Sequence, residues 1–390
     1  MRIFISAGEV SGDLHGAALA RALTAQAPSI TLDGLGSTQM RASGVHLLAD
    51  PASRSTMGFI EPLAHVPYFL SLFRNARRYL RKKKPDAVVL IDFQGINLPL
   101  AKAARKLGVP TVYYIPPQEW IWGTKKGAQA VVDHSDLILS VFKPEADFYE
   151  RLGGKVQFIG HPLLDIIEES KTRRSAGLAP NGSSSPVIPA EAGIQAGEGS
   201  YGIALFPGSR KQEVASLLPV MLRIAAAFPE HRYIVVAASP TIRAQIEKLL
   251  TLSPSQKIEI KDGDPYSLMS AADLIITASG TTTLEAACLH APMVVLYKLS
   301  ALSYFVAKHI LKVKIPHIAL PNILAQRRVV PEFILNETTE STVLQTVREL
   351  LQDSAKRAAM ARELKSVSAL LGAPGATQRA AEQIISYTNS

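Results

Sequence analysis

Short, nearly continuous apolar runs recur along the chain, and stretches with helical periodicity separate them. In the first half the runs are RIFIS, DAVVLIDF, TVYYI, LILSVF and VQFIG; in the second they are YGIALF, RYIVVAA, KIEI, LIITAS and MVVLY. Runs of this length, rich in Val and Ile and lacking polar alternation, predict strands buried on both faces. Amphipathic segments such as QEVASLLPVMLRIAAAF lie between them. Strand alternating with helix predicts an α/β protein with parallel sheets. The two halves follow one plan. Each opens with a strand running into a glycine loop, FISAGEVSG and LFPGSRKQEV, and each has a late strand introduced by a Ser-Asp or Ala-Asp pair, HSDLILSVF and AADLIITASG. The expectation is two Rossmann-like domains. One covers 1–170, completed by a C-terminal helix at about 374–390; the other covers 201–373. The segment 171–200 has the Gly, Ser, Pro and Ala content of a flexible linker.

Composition narrows the class. With 390 residues and 47% hydrophobic content, two well-formed cores are affordable and global disorder is excluded. A single cysteine, Cys288, excludes an internal disulfide and fits a reducing compartment. Gly8, Glu9, Gly12 and Asp13 interrupt the N-terminal apolar stretch early for a signal peptide, and no apolar run is long enough to span a membrane. The expected location is cytoplasmic, attached at most to a membrane surface. The net charge of +9 favours an anionic partner. Much of it sits in one block: Arg74, Arg77, Arg78, Arg81, Lys82, Lys83 and Lys84.

That block ends HVPYFLSLFRNARRYLRKKK, which begins apolar and aromatic. Two readings stand. Such a helix can lie on a membrane, with Val66, Phe69, Leu70 and Phe73 at the acyl boundary and its cations on headgroups. It can equally face the core with a solvated basic end. A nucleic-acid partner is not expected, because the basic block lacks interleaved aromatics and any recognised motif.

Candidate chemistry clusters where strands end. LFPGSRKQEV delivers Gly208, Ser209 and Arg210 to a helix start, where free N–H groups, the helix dipole and a guanidinium suit a phosphate; Glu213 can cap the helix or bind a hydroxyl. ITASGTTTLEAA repeats the arrangement with Ser279, Gly280, Thr281 and Thr283 for a diphosphate and Glu285 for a ribose diol. Ligands of open α/β sheets sit at such carboxyl ends. Asp262-Gly263-Asp264 looks like a metal-holding pair, but turn chemistry explains it, and no metal is expected. Asp92 ends the apolar strand of VVLIDFQGIN. It reads either as a turn residue or as a half-buried carboxylate with raised pKa, suited to general-base work. The opening loop, AGEVSGDLHG, spaces its glycines as GxxxGxxxG and fails the dinucleotide fingerprint.

Taken in order, AGEVSGDLHG, STMGFIEPL, LIDFQGIN, PPQEWIW, FIGHPLLD, LFPGSRKQEV, DG….M, SGTTTLEAA and LPNILAQRRVVPE resemble the lipid-A-disaccharide synthases, over nearly the whole chain. The resemblance implies a GT-B fold with its active site in an interdomain cleft. It implies inverting, metal-independent transfer of 2,3-diacylglucosamine from its UDP derivative to 2,3-diacylglucosamine 1-phosphate, with no cofactor. It makes Asp92 the general base and associates Gly263, Met269 and Asn322, with the two helix-start motifs, with the UDP donor. It turns the opening loop toward the acceptor: Gly8, Ser11 and Gly12 for close backbone approach to a phosphorylated sugar, and Glu9, Asp13 and His15 for hydroxyls, unless these three serve as caps. It makes the Val66–Phe73 stretch an acyl patch against the anionic inner membrane. In departure from the family pattern, Gly95 stands where many relatives have a second acid, and Gly123 where they often have Arg. The nearest rival is a UDP-sugar 2-epimerase of the same fold.

Overall fold

The computed structural model describes residues 1–51, 61–175, 201–251, 258–262, 264–299 and 316–389. Residues 176–200 of the linker, 52–60 (which include 55–60 of the STMGFIEPL motif) and Gly263 lie outside the described residues. The chain divides into two units, Met1–Asp165 with Leu371–Ser390, and Ile166–Leu370.

In the first unit seven parallel strands, β1 (Arg2–Ala7), β2 (Thr31–Leu35), β3 (His46–Ala49), β4 (Ala87–Ile91), β5 (Thr111–Tyr114), β6 (Leu137–Ser140) and β7 (Val156–Phe158), lie in the order β3-β2-β1-β4-β5-β6-β7. The second unit repeats the scheme with six: β8 (Tyr201–Phe206), β9 (Tyr233–Val236), β10 (Ile258–Lys261), β11 (Ala272–Ala278), β12 (Met293–Tyr297) and β13 (Glu332–Ile334), in the order β10-β9-β8-β11-β12-β13. Both are doubly wound parallel sheets. In each the winding reverses between the first and fourth strands, β1 and β4 or β8 and β11, and the crevice beyond their carboxyl ends is the place for a ligand.

Central strands are sealed as their composition requires: every residue of β4 is buried. Helices on either face do the sealing. Leu72, Ala76 and Leu80, spaced by one helical turn on Glu61–Lys83, enter the core with Val88, Leu90, Leu100 and Tyr113. Three strands carry no apolar run that announces them. β2 has Asp33 at its centre, tolerated because it pairs with Arg2 (2.9 Å) and His46 (3.1 Å); β3 and β13 are short edges. The C-terminal helix Ala376–Asn389 belongs to the first unit. Asp165 of FIGHPLLD caps it, accepting the backbone N–H of Thr377 at 2.9 Å.

Candidate functional site

At the first switch point β4 delivers Asp92 to a tight turn. Asp92 (φ 47°) and Phe93 (φ 37°) both occupy the left-handed region, each at a cost of about 1–3 kcal/mol for a residue with a side chain. Buried hydrogen bonds hold the turn there. Asn97 Nδ2 donates to the carbonyls of Asp92 (2.8 Å) and Ile91 (2.9 Å), its Oδ1 accepts the Ser6 hydroxyl (2.7 Å), and the Tyr113 hydroxyl donates to the Asp92 carbonyl (2.9 Å). The Asp92 N–H reaches Ile115 O on the next strand's loop at 3.0 Å. Ser6, Asn97 and Tyr113 are fully buried. Sequence reasoning missed this scaffold; the signal was a polar Asn97 among the apolar positions of its helix.

The carboxyl group itself is shifted toward proton affinity. Burial pushes its pKa up to about 6, the charge of Glu9 adds to this, and the Phe93 backbone N–H opposes it. Glu9 heads the helix Val10–Gln26 that follows β1, so the loop after β1 and the turn after β4 meet electrostatically. They also meet sterically. A side chain at Gly8 would collide with the Phe93 ring, so glycine is required there by close approach.

The rest of the opening loop is divided. Ser11 is exposed and Glu9 half-exposed. Two expected acceptor contacts, Gly12 and Asp13, are turned to structural use. Gly12 is buried against Ala7 and Ile91. Asp13 is buried and caps the helix Thr38–Ala42, accepting N–H groups from Ser37 (2.6 Å) and Gln39 (2.9 Å). His15 is half-buried, its Nδ1 covered and without a hydrogen-bond partner among the described residues, and burial lowers its pKa to about 4, which keeps the ring neutral.

At the second switch point Gly208 (φ 111°) follows β8, and the helix Lys211–Ala227 follows Arg210. The helix start is already occupied. Glu213 Oε2 accepts the N–H groups of Ser209 (3.2 Å) and Arg210 (3.3 Å), and its Oε1 pairs with the Arg210 guanidinium at 2.7 Å. Gly208 permits this in two ways: it adopts the left-handed backbone, and it leaves room for the Glu213 carboxyl, which a Cβ would meet at 2.5 Å. An anion arriving here displaces Glu213 or shares Arg210 with it.

The edge after β11 is open by contrast. Gly280 and Thr281 are exposed, and among the described residues no side chain caps the helix Thr281–Cys288. Ser279 is half-buried and donates to Ile318 O at 2.9 Å. Glu285 lies one turn in, its pKa pushed up to about 7 by burial.

Several expected donor contacts are spent inside the unit. The buried Thr283 hydroxyl donates to Gly280 O (2.7 Å). Asn322 is buried and fully engaged with the backbone of Val329 (2.7 Å) and Val330 (2.9 Å), pinning the turn that follows its helix. The Met269 side chain is enclosed in the core. Asp262 pairs with Arg243, and Asp264 caps the helix Pro265–Ala271 through Tyr266 N–H (3.0 Å).

The apolar-basic helix Glu61–Lys83 packs one face against the core and leaves another exposed. Phe69 is half-buried and packed against the core: it lies on Phe93, ring centroids 5.9 Å apart, and so steadies the Asp92 turn. Leu70 is 47% exposed, and Phe73 is half-buried. The side chain of Val66 lies outside those described. Arg74, Arg77, Arg78, Arg81, Lys82 and Lys83 are all exposed.

A family model for lipid-A-disaccharide synthetase matches residues 3–385. The chain belongs to the lipid-A-disaccharide synthase family. Among its relatives, the lipid-A-disaccharide synthase of Anaeromyxobacter sp. strain K is 37% identical, covering 98% of this chain and 97% of its own. That of Syntrophus aciditrophicus is 34% identical, covering 97% and 96%. Solved structures agree on the fold alone. UDP-GlcNAc 2-epimerase from Neisseria meningitidis, bound to UDP-GlcNAc, superposes with a TM-score of 0.65 at 14% identity, over 99% of this chain and all of the other. Acinetobacter baumannii MurG gives 0.56 at 16% identity, over 99% of both. Family membership makes the protein a glycosyltransferase; the likeness to epimerases reaches no further than architecture.

Proposed function

We propose that the protein transfers 2,3-diacylglucosamine from UDP-2,3-diacylglucosamine to 2,3-diacylglucosamine 1-phosphate, with inversion, giving the β-1,6-linked disaccharide 1-phosphate and UDP. The observation that carries the assignment of roles is Asp92: a carboxyl group of raised basicity, at a switch point, in a strained turn fixed by buried hydrogen bonds. Asp92 takes the proton of the acceptor 6-hydroxyl as that oxygen bonds to the donor's anomeric carbon. The bond from that carbon to the diphosphate breaks on the opposite face, and its electron pair leaves with UDP. An alkoxide is too costly to form free in water, so a positioned base is required. Arg210 and the uncapped amides at Gly280–Thr281 suit the charge that develops on the leaving diphosphate. Glu285 suits the ribose hydroxyls, and Glu9 and Ser11 the acceptor.

The substrates carry acyl chains, so the enzyme works at a lipid surface. Exposed Leu70 and the basic face that follows it on the same helix favour an anionic bilayer. The test is an assay for UDP release from UDP-2,3-diacylglucosamine with and without the acylated glucosamine 1-phosphate. Release that depends on the acceptor is expected; release without it, or none, overturns the proposal. UDP-N-acetylglucosamine without acceptor tests the epimerase alternative in the same assay.

A further inference from the structure

The register of the second sheet sets Glu332 of β13 beside Val295 of β12, and Val295 beside Thr277, one residue short of the end of β11. Glu332 therefore stands at the carboxyl edge of the sheet, where the open helix start at Gly280–Thr281 also lies. Its carboxyl group is held from two sides. Oε2 accepts the backbone N–H groups of Ile318 (2.9 Å) and Ala319 (2.7 Å), and Oε1 lies 2.8 Å from Nδ1 of His317. Only 10% of the Glu332 side chain and 20% of the His317 side chain is exposed. A carboxylate can only accept, so the tautomer that fits it carries its proton on Nδ1. Nε2 is then the acceptor nitrogen of the ring.

The residue Ile318 joins this pair to the helix start. Its N–H goes to Glu332, and its carbonyl accepts the Ser279 hydroxyl at 2.9 Å. His317 precedes Ile318, and Ser279 precedes Gly280 and Thr281. A pocket of about 230 Å³ opens here, with His317, Arg328, Glu332, Ile334, Glu337 and Thr338 in its lining. Sites that enclose a whole small molecule measure roughly 300–1,000 Å³, so this one suits a single ring of a larger ligand. Its polar groups complement one another. The Arg328 guanidinium, whose Nη2 donates to Glu332 O (3.0 Å) and which lies over the Phe333 ring (5.5 Å), can only donate, whereas His317 Nε2 accepts. A hydroxyl group does both.

We propose that this pocket takes a sugar ring of the nucleotide-sugar donor, that His317 Nε2 accepts a proton from one of its hydroxyls, and that Glu332 is the positioning residue that fixes the imidazole for it. The identity of the donor rests on the function proposed above; the orientation of the imidazole by Glu332 does not. A diphosphate bound at Gly280–Thr281 carries a sugar on each side, ribose and glucosamine, and the chemistry that recognises a hydroxyl is the same for both.

His317→Phe keeps a ring and removes the acceptor nitrogen. Calorimetry with UDP, UDP-2,3-diacylglucosamine and UDP-N-acetylglucosamine separates the two sources of the hydroxyl. Loss of one hydrogen bond weakens binding about three- to tenfold. Weaker binding of the two UDP-sugars with UDP unchanged puts glucosamine in the pocket, and equal weakening of all three puts ribose there. Unchanged binding of all three overturns the proposal, even if the thermal midpoint falls, because the pair then only braces the helix Leu320–Ala325. In the UDP-release assay the same variant is expected to raise the donor KM and leave the acceptor KM unchanged; a rise in the acceptor KM alone overturns the assignment. Glu332→Gln tests the positioning role. It keeps an oxygen for the Ile318 and Ala319 N–H groups, but its amide can donate to Nδ1, which moves the ring proton to Nε2 and removes the acceptor. Donor binding is expected to weaken as in His317→Phe, and the double variant to lose no more than His317→Phe alone, because Glu332 acts through the ring. Additive losses overturn the positioning role. If the wild type turns over no UDP-2,3-diacylglucosamine, the proposed function fails, and the titrations with UDP and UDP-N-acetylglucosamine still decide the pocket.

Discussion

Both sheets reverse between adjacent strands, and both reversals end in a loop followed by a helix, yet the two edges are built from different material. In the first unit the edge is titratable. Asp92 is held in a left-handed turn by Asn97 and Tyr113, with burial, and after it the charge of Glu9, keeping its proton affinity high. In the second unit the edge is a set of donors: Arg210 paired with Glu213, and an uncapped helix start at Gly280 and Thr281. One topology thus presents a carboxyl group of raised proton affinity in one unit and a set of hydrogen-bond donors in the other. The divergence lies in the few residues after β1, β4, β8 and β11, while the strands themselves are interchangeable in character. Fold and chemistry are separable, which is also why an epimerase shares this architecture at 14% identity.

The sharpest way to break the comparison is Asp92→Asn. If the first edge supplies the base, kcat falls by about 10²–10⁴ while UDP binding stays unchanged. Stability gives an independent check on the same variant. A carboxyl group whose folded pKa is raised to about 6 contributes stability that is lost as pH climbs from the ordinary carboxylate range through 6. At pH 7 the wild type carries the cost of a buried charge that Asn lacks, so the variant's thermal midpoint should be no lower. Near-normal turnover would remove the base from the first unit and the contrast with it.

Arg210→Ala probes the other edge. Hydrogen bonds to charged groups contribute about 1.5–3 kcal/mol, so calorimetry should find UDP bound about ten- to a hundred-fold more weakly. Unchanged UDP affinity would mean that Arg210 serves only to anchor Glu213, leaving the cradle to the amides at Gly280 and Thr281.

Leu70→Glu asks whether the titratable unit is also the lipid-facing one. Leu70 is exposed on a helix whose Phe69 is committed to the Asp92 turn, so the single change spares the core. A leucine side chain transferred into hydrocarbon contributes about 1.5–3 kcal/mol, so flotation with anionic vesicles should weaken about tenfold or more. Unchanged flotation would leave the helix with its core role alone.

Much of this asymmetry was legible in the residues. Ten strands declare themselves as apolar runs, and the helix starts at Arg210 and Gly280 are visible as glycine and hydroxyl clusters after such runs. Illegible were the interactions that depend on a partner distant in sequence. β2 hides because Asp33 is paired with Arg2 and hydrogen-bonded to His46. Asp13, Thr283 and Asn322 look like ligand groups by type and position, yet each is consumed by backbone donors or acceptors that only the folded chain brings near. Glu145 errs in the opposite direction: an acid in a first helical turn reads as dipole compensation, and only its burial and its unpartnered oxygen set it apart. Gly8 reads as room for a ligand, and the structure fills that room with Phe93.

The smallest predicted effect sharpens the comparison at its most local point. If Asp92 must be ionised to accept a proton, kcat/KM rises as pH climbs through about 6 and falls below it. Burial is the larger cause of that position and the charge of Glu9 the smaller. Glu9→Gln removes the smaller cause without touching the turn, since Asn97 and Tyr113 hold the Asp92 backbone independently of Glu9. The acid limb of the pH profile should therefore move to lower pH, while the plateau falls by what Glu9 contributes to holding the acceptor. The movement should remain well short of the ordinary aspartate range, because burial still acts. A limb that stays in place would mean that the two loops of the first switch point do not communicate through charge. A plateau that does not fall would remove Glu9 from the acceptor contacts.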